Sequence, residues 1–303
     1  MPPSGQALTW GSASPGTQDS RAQGTAKGST SALFAVSCTQ GKTAKSTTNK
    51  IKIKEKFNPL PLTIKSPIKV EVLEKYLEHY PCPSTRDYLL VGFREGFDIG
   101  FRGSFTDPNS RPRNLLSARE NVDQVSEAKE LSRGHTSGPF PYPPFTHTHC
   151  SPIGSAPKPD GSVRLILDLS SPRGESVNDG ISKEEFKCKY SKFDDAVSIV
   201  LHLGRGSSLG KIDIKHAFRI CPVAPEQWPL LCFEWLGQFF TDTRLPFGSR
   251  SSPFIFNTFA IALAWIVLNI GRLWFLIYYL DDFFFANLTR EGCRRDMDVF
   301  LAI

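Results

Sequence analysis

Apolar and polar positions alternate along residues 162–170, SVRLILDLS. Val163, Leu165, Leu167 and Leu169 fall on one face and Ser162, Arg164 and Asp168 on the other, with Ile166 the exception. That period predicts a half-buried strand. The preceding Pro159-Asp160-Gly161 is turn chemistry, which places Lys158 and Arg164 on either side of a hairpin tip. The same alternation returns in SLGKIDIKHAF, where Ile212 and Ile214 face a core and Asp213 projects from the other side. In FLIYYLDDFFF only Asp281 and Asp282 interrupt a run of strand-forming apolar residues, which predicts two buried strands joined at the carboxylates.

Helical spacing is found in three places. Val70, Leu73, Tyr76 and Leu77 recur at that period until Pro81 and Pro83 stop it. Residues 117–134 predict a second helix, with Ser117 as cap, a stripe of Val122, Val125 and Ala128, and Gly134 at the end. A third has Ser252 as cap, Pro253 at the first helical position, and Ile255, Phe259, Leu263, Ile266 and Ile270 facing a core. Residues 87–110 mix aromatic residues with repeated glycine and predict no single element. GPFPYPPF, from 138, predicts an extended connector into the next domain. Asn269, Gly271 and Arg272 divide the most apolar stretch, FAIALAWIVLNIGRLWFLIYYL, into pieces shorter than a membrane span, so a buried helix followed by a strand is expected.

Composition changes the picture at the N-terminus. The chain of 303 residues can bury a sizeable core, but residues 1–60 are rich in Ser, Thr, Gly, Gln and Lys and are expected to be a disordered arm. Eight Lys and Arg there oppose only Asp19 and Glu55, which accounts for the whole net charge of +6. A basic arm on a balanced body fits a nucleic-acid partner, and a solvated tail has the same signature. Seven scattered cysteines without a Cys-x-x-Cys pair, and no basic-then-apolar leader, predict a reduced intracellular setting rather than secretion. The Asn287 sequon is then accidental. KIKIKEK at 50–56 is a basic linker or a nuclear signal, which leaves nucleus and cytoplasm both open.

The chemistry lies in the carboxylates. If the Asp213 strand pairs with LWFLIYYL, Asp213 meets Asp281 and Asp282 in a cluster of oxygen donors without imidazole or thiolate. Such ligands suit Mg²⁺ or Mn²⁺. Neighbouring side chains on a strand point apart, so Asp281 is the expected direct ligand and Asp282 its support. Two ions ~3.5 to 4 Å apart promote in-line phosphoryl displacement. Taken alone, Asp-Asp in a hairpin is also an ordinary turn. His147 and His149 in FTHTHC share a face at alternate positions, but no third or fourth ligand lies nearby, and a polar loop is expected there rather than zinc.

Several motifs in order resemble those of reverse transcriptases. DIKHAF (213–218) is similar to the palm motif with the first metal-binding aspartate, LPFGSRSSPFIFN (245–257) to the segment lining nucleotide and template, and YLDD (279–282) to the Y-x-D-D box. The hairpin with Lys158 and Arg164 resembles the fingers segment that grips the triphosphate. GPFPYPPF, SPIGSAPKPDGSVRLILDLSSPRGESVND and KIDIKHAFRICPVAPEQW resemble, more narrowly, the tyrosine-recombinase retrotransposons of the DIRS and Ngaro type. The resemblance runs from about residue 62 to the end and is densest over 138–286.

This resemblance implies an α+β fold of right-hand polymerase type, with an antiparallel palm sheet backed by helices. It implies an arm over 1–60, a helical and loop extension over 61–137, and fingers and palm over 138–303. The implied activity is RNA-directed DNA polymerisation, with two Mg²⁺ or Mn²⁺ ions held by Asp213, Asp281 and Asp282, deoxynucleoside triphosphates as substrates, and a primed RNA or DNA template as partner. Lys158 and Arg164 are the implied phosphate ligands. Phe218 falls on the steric-gate position, Gly248 lets backbone approach the nucleotide, and Phe247 and Arg250 line nucleotide or template. Only 21 residues follow Asp282, too few for a thumb, so the chain is expected to be an incomplete polymerase. A non-catalytic remnant that binds nucleic acid is the alternative.

Overall fold

Residues 59–61, 63–107, 110–126, 133–159 and 161–303 are described by the computed structural model. The basic arm up to residue 58, and Asp160 of the predicted turn, lie outside them. Helix α1 (Val70–Tyr76) forms where its spacing predicts and buries Val70 and Leu73. Pro83 ends nothing further: it opens a second helix, α2 (Pro83–Glu95), in whose first turn the missing N–H leaves no bond unmade. This helix buries Leu89, Leu90 and Phe93 and stops at Gly96, whose φ of +97° an L side chain rarely adopts. The start of the segment without a predicted element is therefore helical.

The helix expected over 117–134 is broken into α3 (Leu116–Glu120) and α4 (Val122–Ser126). Asn121 causes the break, because its side-chain amide donates to the Ser117 carbonyl at 2.8 Å in place of a continuing backbone ladder. Ser117 is not a cap either. Its hydroxyl accepts from the Ser155 N–H at 3.1 Å, and Leu115 precedes the first turn. Residues 127–132 of the expected helix lie outside the described residues.

The remaining elements are β1 (Thr136–Phe140), β2 (Ile153–Pro157), β3 (Val163–Leu167), α5 (Phe193–Leu203), β4 (Ser208–Asp213), β5 (Cys232–Trp235), β6 (Gln238–Asp242), α6 (Ser252–Asn269), β7 (Leu276–Tyr279), β8 (Asp282–Asn287) and α7 (Arg290–Ala302). The strands make three antiparallel sheets, ordered β1-β6-β5, β2-β3 and β4-β8-β7. Helices together with antiparallel sheets make this an α+β fold. The first three residues of the expected connector, Gly138 to Phe140, are instead the end of strand β1, where Phe140 pairs with Phe239 of β6.

Helix α6 carries the expected core face: Ile255, Phe259 and Ile266 are buried, Leu263 is partly covered, and Ile270 is exposed. Its cap is Ser251 rather than Ser252, which is the first helical residue and whose hydroxyl donates to the Pro246 carbonyl at 2.9 Å. Among the described residues this is the one helix long and apolar enough to cross a membrane, and 56% of it is buried inside the fold. One core joins the N-terminal helices to the rest, with the Phe93 ring of α2 edge-on to Phe259 of α6 at 5.0 Å. Aromatic pairs in that arrangement contribute roughly 0.5–1.5 kcal/mol beyond the burial of their area.

Candidate functional site

Strand β8 lies between β4 and β7, so Asp213 faces Asp282 in register across the β4–β8 ladder. The pairing of β4 with LWFLIYYL, the condition under which the sequence brings the carboxylates together, is not the one formed: β4 pairs with β8, and β7 lies beyond it. The order follows from burial: β8 covers Phe283 and Phe285 completely, whereas β7 is only partly covered. A central strand protects both edges and suits the more apolar segment. The turn that reverses the chain is Leu280–Asp281, with Leu280 at φ +54°. A leucine in that left-handed conformation stores roughly 1–2 kcal/mol of strain. The Asp281 carbonyl accepts from the Ile214 N–H at 2.9 Å and ties the tip to the end of β4.

Three carboxylates thus share one end of the sheet. Partial burial, with the charges of Asp213 and Asp282 adding to it, raises the Asp281 carboxyl above the usual range. Lys211 is the counter-charge: its ammonium lies 2.8 Å from an Asp282 oxygen, and that partner, with Asp213 and Asp281 behind it, raises the lysine's own pKa. Lys211 was legible in the sequence without being singled out, because it stands two residues before Asp213 on the same strand face. The oxygen-only donors fit a hard divalent cation in kind. In position, no three His, Cys, Asp or Glu side chains among the described residues converge tightly enough to hold one, and Asp282 is held by Lys211.

A second group of residues gathers where the β2–β3 hairpin meets the loop before α6. Lys158, at the hairpin end, donates its backbone N–H to the Ser162 carbonyl at 2.8 Å. Arg164 is exposed on β3, and its guanidinium lies over the Phe247 ring at 4.9 Å. Phe247 in turn packs against Phe218 at 5.4 Å, and Phe218 leans on Phe256 at 5.9 Å. Aromatic contacts therefore run from the exposed arginine to the buried face of α6. Gly248 has φ +112°, and a Cβ there would meet the Leu167 carbonyl oxygen at 2.2 Å. What approaches this glycine closely is strand β3.

Arg250 is turned away from the open side. Its guanidinium donates to the backbone carbonyls of Asn178 and Ile181, and its N–H to the Asn178 side-chain oxygen at 2.8 Å. These bonds make it a support of the loop before α6. Asn178 is a residue the sequence analysis missed. It is buried, and its amide nitrogen donates to Ser170 Oγ and to the Gly248 carbonyl, both at 2.8 Å. In SVNDG it reads as one more turn residue, and nothing local marks a partner 70 residues away. Also missed was the buried pair of Arg219 and Asp242, 2.7 Å apart, which Thr136 joins through a 2.6 Å bond. The two histidines of FTHTHC separate: His147 is exposed, and His149 is buried with its ring stacked on Phe105 at 3.8 Å.

No family model matches the chain. It is 29% identical over 137 residues to the Pro-Pol polyprotein of simian foamy virus type 3 (strain LK3), a match covering 45% of the chain and 11% of the polyprotein. The Pro-Pol polyprotein of feline foamy virus is 24% identical over 149 residues, or 49% of the chain and 12% of the polyprotein. Among solved structures, the foamy viral protease-reverse transcriptase in complex with double-stranded DNA aligns with a TM-score of 0.49 and 19% identity, over 81% of this chain and 44% of that one. The same protein in complex with an RNA/DNA hybrid aligns with a TM-score of 0.47 and 19% identity, over 81% and 33%. The chain spans about a tenth of the polyproteins it matches, and over nearly half its own length it is related in sequence to the Pro-Pol polyproteins of foamy viruses.

Proposed function

We propose that the chain is the fingers and palm of an RNA-directed DNA polymerase of reverse-transcriptase type, retrotransposon-derived and intracellular, which adds deoxynucleotides to a primer 3′-hydroxyl. The observation that carries this reading is the register of β4 against β8, with Asp213 opposite Asp282 and Asp281 at the adjoining turn. Both the motif resemblance and the sequence relation to Pro-Pol polyproteins support it.

In this reading Asp213 and Asp281 are the direct ligands of Mg²⁺ or Mn²⁺, and Asp282, paired with Lys211, supports them. Ions held by these carboxylates would supply Lewis-acid chemistry and charge neutralisation, which would require the three side chains to draw together and Lys211 to release Asp282. The chain's own residues do the rest. Arg164, braced on Phe247, and Lys158 receive the triphosphate oxygens. Phe218 sets its ring against the sugar and selects against a 2′-hydroxyl. Asn178 and Arg250 hold the Phe247–Gly248 loop in place, so that these contacts are formed before substrate arrives. The primer oxygen gives up its proton to solvent and attacks the α-phosphorus in line, forming the phosphodiester bond as the bond to the β-phosphate oxygen breaks and pyrophosphate leaves.

Primer extension on an RNA template with Mg²⁺ or Mn²⁺ tests this, with Asp281→Asn and Asp282→Asn matched to the parent by circular dichroism and Tm. DNA product is expected from the parent alone. The ion pair of Lys211 with Asp282 favours one second reading: a chain that binds nucleic acid without catalysis. A well-folded parent that binds primed template and makes no product would select that reading.

A further inference from the structure

A cavity of about 530 Å³ lies between residues 59–61 and 63–65, the start of β1 and the chain leaving β6. Arg244 lines it. The Nε and Nη1 atoms of this arginine are buried and have no hydrogen-bond partner. Two guanidinium donors shielded from water without an acceptor are costly, and the group cannot discharge by losing its proton. The polar groups around it do not help. The Ser137 hydroxyl donates to the Pro59 carbonyl at 3.0 Å and the Thr243 hydroxyl to the His135 carbonyl at 3.1 Å. Lys65 adds a second positive charge to the lining, which contains no Asp or Glu among the described residues. Leu60 and Ile64 supply an apolar wall.

Two cations, no carboxylate and buried donors select a doubly charged oxyanion over a single carboxylate, and the apolar wall leaves room for an organic group beside it. We propose that this cavity binds a phosphate dianion, free or as the monoester of a small organic molecule, with Arg244 as its ligand and Lys65 as the second charge. None of its lining residues belongs to the carboxylate site or to the Arg164–Phe247–Phe218 group.

Calorimetric titration and Tm at pH 7.5 and constant ionic strength test the proposal, with inorganic phosphate, deoxyadenosine 5′-monophosphate and acetate as probes. Both phosphate species are expected to bind the parent and raise its Tm, and acetate to do neither. A larger effect of the nucleotide assigns the organic group to the apolar wall; equal effects assign free phosphate. Arg244→Met is expected to keep or raise the ligand-free Tm, since two unpaired buried donors are removed, and to weaken phosphate binding at least ~10-fold. Arg164→Gln is expected to retain binding, which separates this cavity from the proposed nucleotide site. Should Arg244→Met fail to fold, Lys65→Gln decides through the same loss of phosphate affinity. Absence of phosphate binding by the parent, equal binding of acetate, unweakened binding by the folded Arg244→Met, or loss of binding in Arg164→Gln alone would overturn the proposal.

Discussion

His149 is 3% exposed, and burial pushes its pKa down to about 4, against a weaker upward pull from Asp107 and Glu175. Its ordinary value is ~6.5, so the unfolded chain takes up a proton before the folded one does. The stability held by the neutral ring is therefore complete above that value and is lost as pH falls toward about 4. The loss is on the order of 2–3 kcal/mol across that window. His149→Phe keeps a ring against Phe105 and has no proton to gain. Urea unfolding at pH 7 and pH 5 is expected to show a clearly smaller drop in that variant than in the parent, and an identical drop would assign the pH dependence to other groups. The Arg219–Asp242 pair is the opposite kind of buried charge, satisfied by a partner and by Thr136. Such a pair adds little net stability while intact, because its attraction is offset by desolvation, and is strongly destabilising when halved.

At the scale of elements, the loop before α6 and strand β3 are fitted to each other through a missing side chain. Gly248→Ala would drive a Cβ into the Leu167 carbonyl at a backbone angle that disfavours it, and is expected to cost at least about 2 kcal/mol, read as a lower urea midpoint at unchanged slope. A cost below about 0.5 kcal/mol would mean that the hairpin shifts to make room. The sequence is most readable where periodicity is strong. Alternation marks β3 and β4, and helical spacing marks α1 and α6. It is least readable where one residue type has two meanings. Pro83 stops one helix in the pattern and starts another in the structure, while Asn121 sits inside a helical stripe and breaks it through a side-chain bond. Strand order was not legible, because β7 and β8 are both apolar and only complete burial separates them. The carboxylates were legible from their setting between apolar runs. Asn178 was not, since its significance lies entirely in contacts made across the fold.

At the scale of the molecule, charge and packing are divided. The positive excess resides in the first 60 residues, while the core runs from Val70 to Phe300 through a body whose charges balance. If nucleic acid is the partner, replacing the eight basic residues of the arm by glutamine should flatten the dependence of binding on salt, by about 0.9 in log–log slope for each phosphate contact removed. Fluorescence anisotropy with a labelled primer-template duplex, from about 50 to 200 mM salt, measures this. An unchanged slope would place the phosphate contacts on the folded body. That body has its own point of inflexibility at Asn178. One short side chain presents both amide hydrogens and its oxygen to Ser170, in the chain leaving β3, and to Gly248 and Arg250 in the loop before α6, two stretches remote from each other in sequence. Aspartate would lack the donors, glutamine would overreach, and alanine would leave all three groups unanswered. A single substitution here would therefore unfasten the turn after β3 and the loop before α6 together, with no smaller change available in between.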